Sequence, residues 1–129
     1  MKKYLPTYCC SNKTLLHEKQ LISDQTAQKI ESLFKLLSNV TRLKMLHALV
    51  IDGELRVSDL SRKVGMKPQA VSNQLQKLVD RRVLSQRRNG ANIYYSISDP
   101  CVIGLLAQGL CLVEDSENNL EHEKYDETE

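Results

Sequence analysis

The sequence lacks an apolar run long enough to cross a membrane. Its most apolar stretch, residues 102–113, is interrupted by Gly104, Gln108 and Gly109, and it falls well short of the ~20 residues that a bilayer span requires. Residues 1–10 also lack the apolar segment that follows the basic start of a secretory signal. We therefore expect a cytoplasmic protein with no transmembrane segment.

A catalytic constellation is also missing. His17, His47 and His122 have no recognisable nucleophile or acid partner at a useful spacing. No internal repeat is present, and a length of 129 residues leaves room for one domain with one hydrophobic core. These features predict a single-domain protein that is not an enzyme.

Cysteine is scarce but not absent. The four cysteines are Cys9, Cys10, Cys101 and Cys111. Because the cytoplasm keeps thiols reduced, we expect thiols or metal ligands rather than a disulfide framework.

Charge is unevenly distributed along the chain. Residues 114–129 hold eight acidic residues and one lysine, a net charge of −7, whereas residues 1–113 hold 17 basic and eight acidic residues, a net charge of +9. The basic part suits a polyanionic partner, although a solvated basic surface would have the same composition. The division predicts a flexible N-terminal arm (1–20), a folded domain (21–114) and a disordered acidic tail (115–129).

Apolar spacing predicts helices on both sides of a β-hairpin. The strands at 84–88 and 93–97 are separated by Asn-Gly-Ala-Asn, a strong hairpin signal. The last helix, from Asp99-Pro100 to about Glu114, is apolar on several sides and therefore favours dimerisation. Four helices are predicted before the hairpin. The first begins after a cap at Ser23 or Asp24, and the second runs from about Val40 to Asp52. The third lies within 55–65, and the fourth runs from about Pro68 to Arg82.

A short helix, a glycine turn, a second helix and a hairpin together predict a mainly α winged helix-turn-helix fold, with the DNA-reading unit at 55–97. The second helix exposes groups that donate and accept hydrogen bonds, and the hairpin is basic. A protein-interaction module that never binds DNA remains an alternative, because such folds also serve that role. The predicted DNA contacts are Lys67, Gln69, Ser72, Asn73, Gln74, Lys77, Arg87 and Arg88.

Four segments of the chain resemble the ArsR/SmtB family of metal- and metalloid-responsive repressors. They are 37–46 (LSNVTRLKML), 54–60 (ELRVSDL), 69–75 (QAVSNQL) and Tyr94-Tyr95 in the second strand. The resemblance implies a homodimer, built from the first and last helices, that represses its operator and releases it when an inducer binds. Many members carry two cysteines where this chain has Arg56 and Ser58, so that thiolate site cannot form here.

The last helix offers another set of ligands, namely Asp99, Cys101, Cys111 and Glu114. Ten residues of helix separate the two cysteines by ~15 Å, too far to share one ion within a chain. If two last helices pack antiparallel about a twofold axis near residue 106, Cys101 of one subunit faces Cys111 of the other, and Asp99 faces Glu114 or its neighbour. Some family members place a metal between these helices. Thiolates there would favour Zn(II), Cd(II), Pb(II) or trivalent arsenic or antimony.

Other interpretations of the cysteines stay open. Cys9 and Cys10 could supply further thiolates, which would allow capture of As(III) by three sulfurs. Cys101 and Cys111 could instead only fill space in an apolar helix. A third hypothesis is a dithiol switch that senses oxidants or reactive sulfur with the same DNA-binding unit.

Overall fold

The structure, a computed structural model, describes residues 16–126. A short 3₁₀ turn at Leu16–Glu18 precedes the main elements, and the five helices and two strands confirm the mainly α fold with a hairpin. The elements are α1 (Asp24–Leu37), α2 (Val40–Asp52), α3 (Val57–Val64), α4 (Pro68–Asp80), β1 (Leu84–Asn89), β2 (Asn92–Ile97) and α5 (Pro100–Asp126).

Polar side chains begin the first two helices. The Ser23 hydroxyl accepts a hydrogen bond from the Thr26 N–H at 3.2 Å, which confirms the predicted cap of α1. Asn39 does the same for α2, where its Oδ1 accepts from the Arg42 N–H at 3.1 Å. Such caps satisfy N–H groups that have no partner inside the helix.

The turn between α3 and α4 has the chemistry that the sequence predicted. Gly65 ends α3 in the left-handed conformation with φ +69°, which a residue without a Cβ adopts at little cost. Pro68 opens α4, where its missing N–H would have no partner in any case. These two residues set the start of the second helix of the helix-turn-helix unit.

The core lies where α2, α3, α4 and the hairpin meet. Leu46, Leu60 and Leu75 are completely inaccessible to solvent, and each buried side chain of this kind contributes about 1.5–3 kcal/mol to folding. Leu84 and Tyr95 bring one face of the hairpin onto the same cluster. The remaining core residues are Leu37, Met45, Ala48, Leu49, Leu55, Val71, Leu78 and Val83.

The hairpin is tighter than predicted. Asn89 pairs with Asn92, so that only Gly90 and Ala91 form the loop, with Gly90 at φ +64°. A third segment joins it, because Leu55 and Tyr95 exchange two backbone hydrogen bonds of 3.1 and 2.8 Å. The sequence did not predict this bridge, which attaches the hairpin to the segment before α3.

The last helix corrects a predicted boundary. α5 begins at Pro100 as expected, but it continues through Asp126 rather than ending near Glu114, so 115–126 are helical where an irregular tail was expected. Residues 114–126 contain neither glycine nor proline to end a helix. No helix in the described part of the chain is long and apolar enough to cross a membrane.

Candidate nucleic-acid interface and sensor helix

The exposed face of α4 carries a row of three polar side chains. Gln69, Asn73 and Lys77 are exposed and follow one another at four-residue intervals, which places them on one side of the helix. Gln69 Nε2 donates to Asn73 Oδ1 at 3.0 Å. Lys67 is exposed at the N-cap position of the same helix. The row offers amide donors and acceptors together with a positive charge, the groups that read base edges and bind phosphates.

Two other predicted contacts, Ser72 and Gln74, lie on the flanks of α4. Both are half-buried. The Gln74 Oε1 accepts a hydrogen bond of 2.7 Å from Arg42 Nε on α2. The structure therefore places Gln74 against the protein, beside the row formed by Gln69, Asn73 and Lys77 rather than within it.

The two arginines of the hairpin, or wing, Arg87 and Arg88, differ in their surroundings. The Arg87 guanidinium donates to both carboxylate oxygens of Glu54, at 2.7 and 3.3 Å, and lies 4.9 Å from the centre of the Tyr94 ring. The hydrogen bond from Arg87 lowers the pKa of Glu54. Arg88 is exposed, and among the described side chains no carboxylate lies within ion-pair distance of it. Of the two, Arg88 has the charge available for a phosphate.

The segment where many relatives carry two cysteines is occupied by an ion pair. Arg56 Nε lies 3.2 Å from the Asp59 carboxylate, which also accepts from the Arg56 backbone N–H. These bonds from Arg56 lower the pKa of Asp59 to about 2. Ser58 is exposed. The segment holds the start of α3 in place and offers no thiolate.

The predicted metal ligands near the last helix lie at separate places, with Asp99 just before α5 and Cys101, Cys111 and Glu114 along it. Cys101 and Cys111 are half-buried thiols, and Glu114 is exposed. Asp99 Oδ1 accepts from the Cys101 N–H at 2.9 Å, so this carboxylate caps the helix. Within residues 16–126 no group of three or more His, Cys, Asp and Glu residues could hold a metal ion. Cys9 and Cys10 lie outside the described residues.

An apolar groove of about 750 Å³ runs between α1, α2 and α5. Phe34 on α1 and Leu110 on α5 line it, although half of each side chain is exposed (50% and 54%). Further along α5, Leu112 is 70% exposed. Exposed apolar surface of this extent, on the two helices from which dimerisation was predicted, is typical of an interaction face.

The helix-turn-helix unit, with a basic hairpin directly after its second helix, defines the chain as a winged-helix DNA-binding protein. The sequence model of a protein family, described as bacterial regulatory protein, arsR family, matches residues 39–86. These residues include α2, α3, α4 and the start of β1. The chain belongs to this family, as the resemblance in the sequence predicted. Its members are DNA-binding transcriptional regulators rather than enzymes.

Individual relatives agree with this assignment. A transcriptional repressor SmtB homolog from Synechocystis is 36% identical over 86 residues, which span 67% of this chain and 64% of the homolog. The crystal structure of the AntR antimony-specific transcriptional repressor is 54% identical, with a TM-score of 0.73, and the match covers 84% of this chain and 98% of that one. The solution structure of a homodimeric winged helix-turn-helix DNA-binding domain from Mycobacterium bovis is 28% identical, with a TM-score of 0.62 and coverages of 75% and 92%. The chain is thus an ArsR/SmtB-family repressor with metal-responsive relatives.

Proposed function

We propose that the chain forms a cytoplasmic homodimer that binds operator double-stranded DNA and releases it when a soft metal or metalloid ion binds to the thiolates of α5. Trivalent antimony or arsenic is the favoured inducer, and Cd(II), Zn(II) and Pb(II) follow. The observation that carries the proposal is the pair of half-buried thiols, Cys101 and Cys111, on a helix with exposed apolar side chains.

Dimerisation through α1 and α5 is supported by the apolar surface that a single chain leaves uncovered. Ile30 and Phe34 on α1 and Ile103 and Leu110 on α5 are each at least 38% exposed. Burial of apolar area of this kind is the main driving force of association. The M. bovis domain, which is homodimeric, supports dimerisation of this chain.

In a dimer, Cys101 of one subunit could lie close to Cys111 of the other. Within one helix they are ~15 Å apart, since each residue adds 1.5 Å. Antiparallel packing about an axis near residue 106 would bring Cys101 to Cys111 of the partner subunit, so that each dimer has two equivalent sites. Asp99 and Glu114 would lie at the edges of these sites, where carboxylates could add to the ligand set.

Ligand chemistry supports a soft ion. Thiolates bind Zn(II), Cd(II), Pb(II) and trivalent metalloids in preference to hard, oxygen-seeking ions. The similarity to the antimony-specific repressor, at 54% identity, makes Sb(III) the first candidate for this chain, and As(III) has similar chemistry. A third thiolate, which these trivalent ions prefer, would come from Cys9 or Cys10.

A short path leads from the thiols to the DNA-binding unit. Cys101 follows the end of β2, at Ile97, by four residues. The Ser98 N–H donates to the Val83 carbonyl at 3.0 Å, close to the end of α4, and Val102 and Leu106 pack on the core. An ion that pulls the start of α5 toward the partner helix would therefore displace both the wing and the end of α4.

Inducer release is tested by fluorescence anisotropy of the operator complex with fully reduced protein. Sb(III), As(III), Cd(II), Zn(II) and Pb(II) are each titrated, and at least one should dissociate the wild type. Cys101→Ser and Cys111→Ser should each remain bound at ion concentrations that release the wild type. Release by oxidant alone, reversed by dithiothreitol, would favour the redox hypothesis instead.

Sharing of the site between subunits has its own test. Mixing the Cys101→Ser and Cys111→Ser proteins yields heterodimers in which one site keeps both thiols, one from each chain, and the other keeps none. Ion binding, absent from either variant alone, should return in the mixture at one ion per heterodimer. No recovery would contradict an intersubunit site.

DNA binding itself is tested with the wild type alone. If the protein does not shift its operator at ~50 mM salt, where phosphate contacts are strong, the alternative of a protein-interaction module is favoured.

A further inference from the structure

Arg42 on α2 joins two other helices at once. Its Nη1 donates to the Leu36 carbonyl in the last turn of α1 at 2.8 Å, and its Nε donates to Gln74 Oε1 in the middle of α4 at 2.7 Å. Arg42 and Gln74 are both half-buried. One side chain therefore connects the end of α1 to the helix that carries the exposed polar row.

The geometry of this link requires arginine. The Leu36 carbonyl has no partner in its own helix because α1 ends there, and a positive charge at a helix C-terminus is favourable. The guanidinium offers several donors in a rigid plane, so it can bind the carbonyl and the amide together. A lysine ammonium could supply the charge but not the same planar arrangement of donors.

The hydrogen bond between Arg42 and Gln74 restricts a movement of α4 that its apolar contacts allow. Val71, Leu75 and Leu78 hold the helix on the core, but apolar contacts are non-directional and tolerate small rotations. The Arg42–Gln74 hydrogen bond is directional and sits on the flank of α4, where it resists rotation about the helix axis. Such a rotation would turn Gln69, Asn73 and Lys77 away from the groove of the operator DNA.

We propose that Arg42 is a positioning residue for DNA reading: it fixes the rotation of α4 relative to α1, and Gln74 is its anchor rather than a base-reading residue. The inference rests on the proposed function in one respect, that α4 enters the operator. Because α1 also carries part of the proposed dimer face, Arg42 would help to set the spacing between the two α4 helices of a dimer. Dimeric helix-turn-helix proteins require half-sites at a defined spacing.

The test is a double-mutant cycle on operator affinity. Arg42→Met and Gln74→Met each remove the bond, and we expect each to weaken operator binding about 10-fold, which corresponds to about 1.4 kcal/mol. The double variant should be no weaker than Arg42→Met alone, because Arg42→Met already removes the bond to Gln74. Gln74→Met is the decisive variant, since it leaves the bond from Arg42 to Leu36 intact and α1 unaffected.

Gln76→Met serves as the matched control. Gln76 is on the same helix, but its amide bonds to Asp80 within α4, so its loss leaves the attachment to α2 unchanged. The effects of Arg42→Met and Gln76→Met should therefore add. A further readout is an operator with one extra base pair between its half-sites: the wild type should reject it, and Arg42→Met and Gln74→Met should discriminate less.

Several outcomes would overturn the inference. Additive effects of Arg42→Met and Gln74→Met would show that the two residues act separately. If Arg42→Met lowers the slope of log affinity against log salt concentration by about 0.9 per subunit, Arg42 contacts a phosphate. If Gln74→Met alone loses the preference for one operator base pair, Gln74 contacts that base. If the wild type binds operator and Gln74→Met binds equally well, only the positioning role fails. If the wild type does not bind, the proposed function fails as well.

Discussion

The contrast between the two wing arginines leads to a quantitative prediction about salt. Arg88 lies at the hairpin end with its charge unpaired among the described side chains, whereas the Arg87 guanidinium is bound to Glu54 at 2.7 Å. We therefore expect Arg88→Ala to remove one phosphate contact from each subunit. Arg87→Ala should lower the salt dependence less, because the Arg87 guanidinium is paired with Glu54 in the unbound protein and would have to give up that pair to bind a phosphate.

The size of the effect follows from counterion release. Each phosphate contact adds about 0.9 to the slope of log affinity against log salt concentration, so two lost contacts in a dimer lower the slope by about 1.8. Between 50 and 200 mM salt, wild-type affinity should fall about 12-fold more than that of Arg88→Ala. Fluorescence anisotropy at four salt concentrations measures this slope directly.

Glu54→Gln tests the same reasoning from the other direction. Loss of the carboxylate releases the Arg87 guanidinium, so the slope should become steeper and binding at low salt tighter. The reasoning is refuted if Arg88→Ala leaves the slope unchanged, or if Arg87→Ala lowers it more than Arg88→Ala does. The second result would mean that Arg87 leaves Glu54 and binds DNA, as predicted from the sequence.

Three further predictions concern base reading, acid stability and the core. Asn73→Ala should cost about 1–3 kcal/mol at one operator base pair and little elsewhere, as measured by competition with single-base operator variants. Arg56 lowers the pKa of Asp59 to about 2, so the stabilisation from this ion pair is present above about pH 4 and is lost as the pH falls toward 2. Asp59→Asn should therefore make the stability of the fold less dependent on pH between 4 and 2, as measured by circular dichroism. Leu75→Ala, at a fully buried position, should lower the free energy of unfolding by about 2–5 kcal/mol in urea titrations, and a loss below 1 kcal/mol would contradict its place in the core.

Much of the fold could be predicted because its signals are local. The cap at Ser23, the glycine after α3 and the proline at the start of α4 each act within a few residues of the backbone they control. The hairpin signal at residues 89–92 has the same character, although pairing of Asn89 with Asn92 shortened the loop. Boundaries without such a signal were harder, as the extension of α5 to Asp126 shows.

The candidate site could be predicted only in part. The residue types on α4 and the hairpin predicted a DNA-reading surface, but polarity alone does not show which side chains are already engaged. Gln74 accepts from Arg42, 32 residues away, and Arg87 donates to Glu54, 33 residues away. No local pattern encodes partners at such separations.

The sequence by itself determined the family, the order of elements and the absence of a thiolate pair at Arg56 and Ser58, because each depends on residue identity and short-range backbone preferences. Only the tertiary structure decided which polar side chains are already engaged within the protein: Gln74 accepts a hydrogen bond from Arg42, and Arg87 is paired with Glu54. It also extended the predicted last helix, which carries Cys101 and Cys111, to Asp126 and placed it beside an apolar groove. Hydrogen bonds and burial between distant segments depend on how the helices pack around Leu46 and Leu75, and that packing exists only in three dimensions.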